Sequence, residues 1–247
     1  MNQIKWISLL FFLIASSVFA EKLEIQVEQK KVILPYWPSM HMSYGAVVIV
    51  RGGEYGQGTL LLEHLAKRLS QNGWSVALVN CTKNNSVPWI NQLPEVISAL
   101  RQNHNKRIVL VHYGDQLNIS LEYFSKPQSK MINGLVMLSA YDVKKNLKKI
   151  PLLRFPLFDI AGQFDYDMVL QQRKMREEEF KAQKYLAIDM PGAHHDYQYS
   201  QQLLLAFVHG WMAKLPEFET QPPPILVSYL EPVYSSVSSV VLIDKLT

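Results

Sequence analysis

Two polar residues follow separate apolar runs of the chain, and their types are those of acyl-transfer chemistry. Asp165 comes just after the penultimate apolar run, and His195 lies in the turn before the closing helix. Acyl transfer uses a histidine as the base and a carboxylate that orients it. Asp142 is the alternative to Asp165 as the acid, and His194 is the alternative to His195 as the base. We favour His195 because the usual pattern leaves one residue between a pair of small residues and the histidine.

The nucleophile that this chemistry needs is missing from its usual place. The apolar run 107–116 predicts a buried strand that ends in a sharp strand-to-helix turn. In a nucleophile elbow, Gly-x-Ser-x-Gly places the serine at the apex of such a turn. Here the motif becomes His112-Tyr113-Gly114-Asp115-Gln116, so the apex is Gly114, which has no attacking atom.

Asp115 is the alternative nucleophile. For it to stand at the apex, Tyr113 and Leu117 would have to occupy the positions of the two flanking glycines, where side chains collide with the neighbouring strand and helix. The other interpretation of Asp115 is a carboxylate that interacts with the free amides at a helix N-terminus.

The loop that would hold the developing negative charge is also altered. Arg51-Gly52-Gly53 stands where hydrolases commonly have His-Gly. The main-chain amides of this loop could still hold the developing negative charge. Arg51 could hold an anion or pair with a carboxylate at the strand end. A third function is therefore a small-molecule binder in which Arg51 and His195 clamp an anionic group. The glycines of this loop do not match the phosphate-binding motif Gly-x-x-x-x-Gly-Lys-Ser/Thr.

The apolar runs that alternate with helical patterns predict an α/β fold with a doubly wound, mostly parallel sheet and helices on both faces. The strand spacing matches the order of α/β hydrolases, in which the glycine loop, the elbow and the acid and histidine turns meet at the carboxyl edge of the sheet. The strands are predicted at 21–34 (one or two), 45–50, 74–80, 107–113, 134–138, 155–161 and 185–190. The helices are predicted at 60–71, 88–103, 117–124, 142–149, 167–181 and 197–215. The helix at 167–181 is strongly charged and is predicted to face solvent.

The chain is divided into three predicted segments. Residues 1–20 are typical of a secretory signal peptide, residues 21–215 form the α/β-hydrolase-like domain, and residues 216–247 form a proline-broken C-terminal tail. No cysteine lies directly after the cleavage site to carry a lipid, and no second apolar run is long enough to span a bilayer. We expect an exported protein in the periplasm or at the periplasmic face of the outer membrane, with peripheral membrane association left open.

The tail is rich in residues that favour β-structure and poor in charge. It could be flexible, fold back on its own domain, or dock by adding a strand to a partner's sheet. In the docking hypothesis its contacts with other envelope proteins are Ile225, Val227, Tyr229, Val240 and Leu242.

Composition excludes several function classes. The formal net charge of +4 is too small, and too mixed with acidic residues, to favour nucleic-acid binding. Cys81, the only cysteine, is predicted to be a buried free thiol. No residue set is predicted to hold a metal ion, and no cofactor is expected.

The chain resembles an uncharacterised family of exported α/β-hydrolase-like proteins of proteobacteria. The resemblance covers about residues 45–215 and rests on the segments 45–50, 72–74 and 156–160 together with Gly114, Arg173, Gly210 and Trp211. It implies the fold and no particular reaction. We therefore expect a non-catalytic binding or scaffold subunit, such as an accessory component of an envelope-spanning secretion system. The alternative is a hydrolase that uses Asp115, His195 and Asp165.

Overall fold

The computed structural model describes residues 20–53, 58–81, 87–143 and 152–218. The signal segment, the predicted helix at 142–149 beyond residue 143, and the tail after residue 218 lie outside these ranges. The strands are β1 (Glu21–Val27), β2 (Lys30–Trp37), β3 (Gly45–Arg51), β4 (Trp74–Asn80), β5 (Ile108–Tyr113), β6 (Gly134–Leu138), β7 (Leu157–Phe164) and β8 (Tyr185–His194). The helices are α1 (Thr59–Gln71), α2 (Trp89–Gln102), α3 (Leu117–Ser125), α4 (Asp167–Glu179) and α5 (Gln201–Ala213).

The strands form a single sheet in the order β1-β2-β4-β3-β5-β6-β7-β8. All neighbours from β4 to β8 are parallel, whereas β2 runs antiparallel to both β1 and β4. Strands β3, β5 and β6 are buried along their whole length. Their continuous apolar sequences reflect this, because a parallel sheet is covered on both faces. The predicted α/β architecture is confirmed.

Helices cover the two faces of the sheet. Alternate residues of β3 point to opposite sides, so that Val48 packs with α2 and α3 while Ile49 packs with α1 and α5. The connections place the ends of β3, β5, β7 and β8 at the same edge, since these strands are parallel. None of the helices in the described ranges is both long and apolar enough to cross a membrane.

Three predicted boundaries were wrong. Strand β2 continues through Pro35 to Trp37, where the sequence predicted a loop. Strands β7 and β8 run past Gly162 and Met190, which were predicted to end them. Gly162 does not stop its strand; it allows close approach, because a β-carbon there would lie 2.5 Å from the carbonyl oxygen of Ala193.

The start of the closing helix and the surface of α4 also differ from the predictions. Helix α5 begins at Gln201, because Tyr197 adopts a positive φ of 52° and its side chain is buried. Helix α4 was predicted to face solvent, yet Arg176 is buried and donates two hydrogen bonds to the carboxylate of Asp159 on β7, at 2.7 and 3.1 Å. The hydroxyl of Tyr185 donates to the same carboxylate at 2.8 Å. A buried charge needs such partners.

Candidate functional site

The elbow turn follows β5 and has Gly114 at its apex. Gly114 has a φ of 77°, its amide donates to the carbonyl of Leu138 at 3.3 Å, and its carbonyl accepts from the amide of Tyr141 at 2.9 Å. A β-carbon at Gly114 would lie 3.0 Å from the carbonyl oxygen of Gly52. The turn therefore has the geometry that favours glycine, and it presents no side chain at the apex.

Polar side chains occupy the positions where glycines flank a nucleophile elbow. His112 is fully buried, and its Nε2 lies 2.9 Å from the carbonyl oxygen of Asp115. Because a carbonyl can only accept, Nε2 carries the proton, and Nδ1 accepts from the hydroxyl of Ser120 at 2.9 Å. Burial lowers the pKa of His112 to about 4 despite that backbone bond. Gln116 has a φ of 72°, and its side chain accepts a hydrogen bond from Trp89 at 2.9 Å.

Asp115 does not contact the histidine that the alternative mechanism would pair with it. Its Oδ1 accepts from the amides of Gln116 at 2.8 Å and Val143 at 2.9 Å. Among the described residues, no hydrogen bond or ion pair joins Asp115 to His195. The carboxylate is instead held at the start of α3, as in the second interpretation of the sequence.

Asp142, the alternative acid, also belongs to this helix terminus. Its carboxylate accepts from the amide of Asn118 at 3.0 and 3.2 Å, and its main chain is bonded to the side chain of Gln172. Burial, with the nearby charge of Asp115, raises the pKa of Asp142 to about 6 against the favourable amide bond. Asp142 therefore caps α3 and does not orient a histidine.

The loop after β3 packs directly on the elbow. Arg51 is buried and its Nη1 donates to the hydroxyl of Thr59 at the start of α1. A β-carbon on Gly52 would fall 1.8 Å from the carbonyl oxygen of Asp115, so only glycine fits. The amide of Gly52 donates to the carbonyl of Tyr113 at 2.8 Å. Within the described ranges we find no acceptor for the amide of Asp115, the residue after the apex.

Asp165 and His195 form a pair on the facing side of the site. Nδ1 of His195 lies 2.7 Å from Oδ1 of Asp165. The same carboxylate accepts from the amides of Tyr166 at 2.8 Å and Gly162 at 3.2 Å, and from the hydroxyl of Ser139. Burial alone would raise the pKa of Asp165, but the hydrogen bonds from His195 and Ser139 outweigh it, so the pKa is lowered.

Ser139 and Tyr197 support this pair, and the sequence analysis did not identify them. Ser139 follows β6 with a φ of 43° and is fully buried. The hydroxyl of Tyr197 lies 2.7 Å from Oγ of Ser139 and 3.3 Å from the carbonyl oxygen of Ile160. The only sign of Ser139 in the sequence was a small polar residue after a buried strand. Many strands end in this way, so the pattern does not identify a site residue.

The imidazole of His195 is surrounded by three tyrosines. The ring of Tyr166 stacks on it at a centroid distance of 4.3 Å, and the rings of Tyr113 and Tyr141 lie at 5.1 and 6.2 Å. The hydroxyl of Tyr113 donates to the carbonyl of His195 at 3.4 Å. No hydrogen-bond partner of Nε2 is present in the described part of the chain.

Gly53 and His194, two further predicted site residues, are not part of this pair. Gly53 has a φ of 93° in the loop after β3. His194 is exposed, and its ring lies 5.4 Å from the ring of Phe164. The five tail residues predicted to contact a partner lie outside the described residues.

A polar groove lies between α1 and α5, and neither residue of the Asp165–His195 pair, here called the dyad, lines it. It has a volume of about 320 Å³ and is lined by His64, Lys67, Arg68, Gln71 and Gln201. Nδ1 of His64 lies 3.3 Å from the side-chain oxygen of Gln201, which links the two helices. The groove has cationic and amide side chains and no acidic lining residue.

Comparisons with solved structures show the same fold in several hydrolases. A serine hydrolase homologue from Coxiella burnetii aligns with a TM-score of 0.62 and 14% identity, over 76% of this chain and 95% of that one. A serine hydrolase without a lid from Xanthomonas campestris aligns at 0.62 and 16%, over 80% and 96%. A dienelactone hydrolase from Anabaena variabilis aligns at 0.63 and 13%, over 79% and 97%.

No protein-family model and no curated protein matches the sequence. At these identities the structural matches establish the architecture and not an activity. The chain has the fold of α/β hydrolases.

Proposed function

We propose that this protein is a non-catalytic, α/β-hydrolase-like binding subunit. The observation that carries the proposal is the apex of the elbow, where Gly114 provides no attacking atom. Nucleophilic catalysis requires an attacking side chain within hydrogen-bond reach of its base. Ser139, the serine nearest the dyad, is fully buried and donates to Asp165 rather than to His195.

The hydrolase alternative would use Asp115 as the nucleophile. Its carboxylate accepts two main-chain hydrogen bonds, and each such bond to a charged group stabilises by about 1.5–3 kcal/mol. Attack would require the carboxylate to leave these amides and turn toward His195. The contacts of Asp115 therefore favour a structural function at the N-terminus of α3.

Activity-based labelling tests the absence of a nucleophile. We expect the purified protein to show neither labelling by a fluorophosphonate probe nor turnover of nitrophenyl esters above the buffer rate. An active serine hydrolase in the same assay provides the positive control, and Ser139→Ala and Asp115→Asn provide the matched variants. Labelling that is lost in Ser139→Ala, or turnover that is lost in Asp115→Asn, would overturn the proposal.

The proposed partners are other proteins of the cell envelope, bound through the tail. The support is compositional: an N-terminal segment typical of a signal peptide, and a tail rich in valine, isoleucine, leucine and tyrosine. The described chain ends beside the amino end of β5, where the amide of Phe218 donates to the carbonyl of Lys106 at 3.0 Å and Arg101 lies 4.0 Å above its ring. The tail therefore starts at the edge of the sheet opposite the dyad.

Co-purification tests the partner proposal. We would compare the full chain with a chain truncated after Phe218, which keeps the contacts of Phe218 with Lys106 and Arg101. We expect a stable set of envelope proteins with the full chain and its loss on truncation. Identical elution of both forms as monomers would contradict the proposal, and so would recovery of the full chain from the cytoplasm.

A further inference from the structure

One ring nitrogen of His195 has no hydrogen-bond partner among the described residues. In a serine hydrolase, Nε2 of the histidine bonds the nucleophile. Here Nδ1 of His195 is bonded to Asp165, and the described part of the chain offers no partner to Nε2. We propose that the Asp165–His195 pair binds the carboxylate group of a small organic acid, with the protonated Nε2 donating to a carboxylate oxygen. This proposal rests on the proposed function, because an attacking nucleophile would occupy the same nitrogen.

The hydrogen bonds that Asp165 accepts hold the pair in a fixed orientation. A buried carboxylate is costly unless its lone pairs are satisfied. Asp165 receives donors from His195, Ser139 and two main-chain amides, and Ser139 is in turn bonded to Tyr197. This arrangement fixes the imidazole with its proton on Nδ1 and leaves Nε2 as the nitrogen that can gain a proton.

The elbow adjoins the imidazole and offers a second donor. Tyr113, whose ring lies 5.1 Å from that of His195, immediately precedes Gly114. The main-chain amide of Tyr141 donates to the carbonyl of Gly114, and the ring of Tyr141 lies 6.2 Å from the imidazole of His195. The amide of Asp115 follows the apex, at the position that contributes to the oxyanion hole in α/β hydrolases. In this proposal one carboxylate oxygen accepts from Nε2 and the other accepts from this amide.

The tyrosine rings around His195 favour an organic acid that carries a planar apolar group. Tyr166 stacks on the imidazole and is 53% exposed, while His195 itself is 8% exposed. Aromatic side chains at the mouth of a polar site are typical of small-molecule binding. Among the described residues, the titratable groups near His195 are the carboxylate of Asp165, the exposed His194 and Asp196 on either side of it in the chain, and the hydroxyls of Tyr113, Tyr141 and Tyr166. No cationic side chain contacts the imidazole within the described ranges, so the imidazolium itself would supply the positive charge.

Binding is accompanied by proton uptake and by no covalent step. An organic acid is already ionised near neutral pH, and its negative charge favours the protonated form of an adjacent imidazole. The proton passes from the buffer to Nε2, and the complex contains the carboxylate and the imidazolium. We therefore expect uptake of up to about one proton for each acid bound.

Titration calorimetry with benzoate, phenylacetate and acetate at pH 8 tests the proposal. Each acid is measured in two buffers of different ionisation enthalpy, which gives the number of protons taken up, and benzamide serves as the uncharged control. We expect saturable binding of at least one acid with proton uptake, and none of benzamide. His195→Gln should weaken binding by about tenfold or more and abolish the uptake. His41→Gln, an exposed histidine before β3 at the opposite edge of the sheet, should leave both unchanged.

The following results would contradict binding of an organic acid at His195. Failure of all three acids to bind saturably would overturn the proposal. Binding that survives His195→Gln, or that disappears in Lys67→Gln with Arg68→Gln, would assign the anion to the groove between α1 and α5 and would also overturn it. Circular dichroism and thermal unfolding of each variant show whether it has folded. Failure of the proposed function would instead appear as labelling or ester turnover, which are separate measurements.

Discussion

His112 and His195 lie on neighbouring parts of the same sheet edge, and they differ in how their nitrogens are used. His112 of the elbow is fully buried, and both ring nitrogens are bonded within the turn and α3. His195 of the dyad has one nitrogen bonded to Asp165 and the other without a partner among the described residues. The hydrogen bonds of His112 are therefore satisfied within the elbow and α3, whereas the bond of His195 to Asp165 leaves Nε2 available for the organic acid that we propose.

The two histidines illustrate two functions that a buried imidazole can have. A ring whose two nitrogens are both satisfied contributes to stability, and its replacement should alter unfolding. Under the binding proposal, a ring that is oriented by a carboxylate and has no partner at Nε2 among the described residues contributes to affinity, and its replacement should alter affinity more than stability. The stability contributed by the groups around each histidine can be measured by substitution.

The largest expected effect is at the acid of the dyad. Asp165→Ala removes the acceptor for His195, Ser139 and two main-chain amides, and we expect the free energy of unfolding to fall by about 4 kcal/mol. Urea denaturation measures this change. Glu24→Ala, which removes an exposed ion pair with Lys31, should cost less than about 1 kcal/mol. Equal costs for the two carboxylates would show that the dyad network does not stabilise the fold.

Acid should destabilise the elbow through His112. Its pKa is about 4 in the folded protein against an ordinary 6.5, so the unfolded chain binds a proton that the folded chain excludes. This contribution is present above pH 6.5 and is lost as the pH falls toward 4, and it amounts to about 3 kcal/mol. The stability difference between wild type and His112→Asn should therefore shrink by that amount over this range.

The raised pKa of Asp142 has the opposite effect on stability. Its ionisation disfavours the folded state, so the fold gains stability as the pH falls through about 6. Asp142 is present in both proteins, and the comparison of His112→Asn with wild type isolates the histidine. A difference that does not change between pH 6.5 and pH 4 would show that His112 is not held neutral by burial.

A smaller effect is expected at the apex of the elbow. Gly114→Ala places a β-carbon at a φ of 77° and 3.0 Å from the carbonyl oxygen of Gly52, and we expect a loss of about 2 kcal/mol. Gly192→Ala is the matched control, because its φ is 67° but a β-carbon there meets nothing within 4 Å. That variant should lose only the conformational cost of about 1 kcal/mol. Equal losses would mean that the contact with Gly52 relaxes freely.

The smallest effect is expected for Asp115→Asn. The amide oxygen of asparagine can still accept from Gln116 and Val143, and the weaker neutral hydrogen bonds are offset by relief of the repulsion between Asp115 and Asp142, so stability should change by less than about 1 kcal/mol. Removing the charge should lower the pKa of Asp142, because the charge of Asp115 contributes to its rise. Carboxyl titration by nuclear magnetic resonance measures that pKa, and an unchanged value would show that the two carboxylates do not interact.

The positions of the main site residues followed from local patterns in the sequence. Apolar runs identified the strands, and the ends of parallel strands meet at one edge, which places Gly114, Asp165 and His195 in the same region. The empty apex was visible because a motif with fixed spacing can be aligned to a strand. These inferences need only the order of elements and the types of residues that follow them.

The remaining features depend on contacts between distant parts of the chain. The bond from Ser139 to Asp165 joins β6 to β7, and the burial of Arg176 depends on Asp159. A charged helix in sequence gives no sign that one of its arginines has a buried partner. The boundary at Gly162 was misjudged for the same reason, since the glycine serves a close approach to β8 and not a turn.

The order of the strands also has a consequence for the rate at which the protein folds. The hairpin of β1 and β2 brings together residues close in sequence, such as Ile25 and Val32, and can form early. The central pair joins Ala46 to Ile108, so the middle of the sheet must wait for a long loop to close. Proteins dominated by such non-local pairing fold slowly. A newly made chain therefore remains without its central sheet until β5 has been synthesised, and its apolar strands are open to chaperones during that interval.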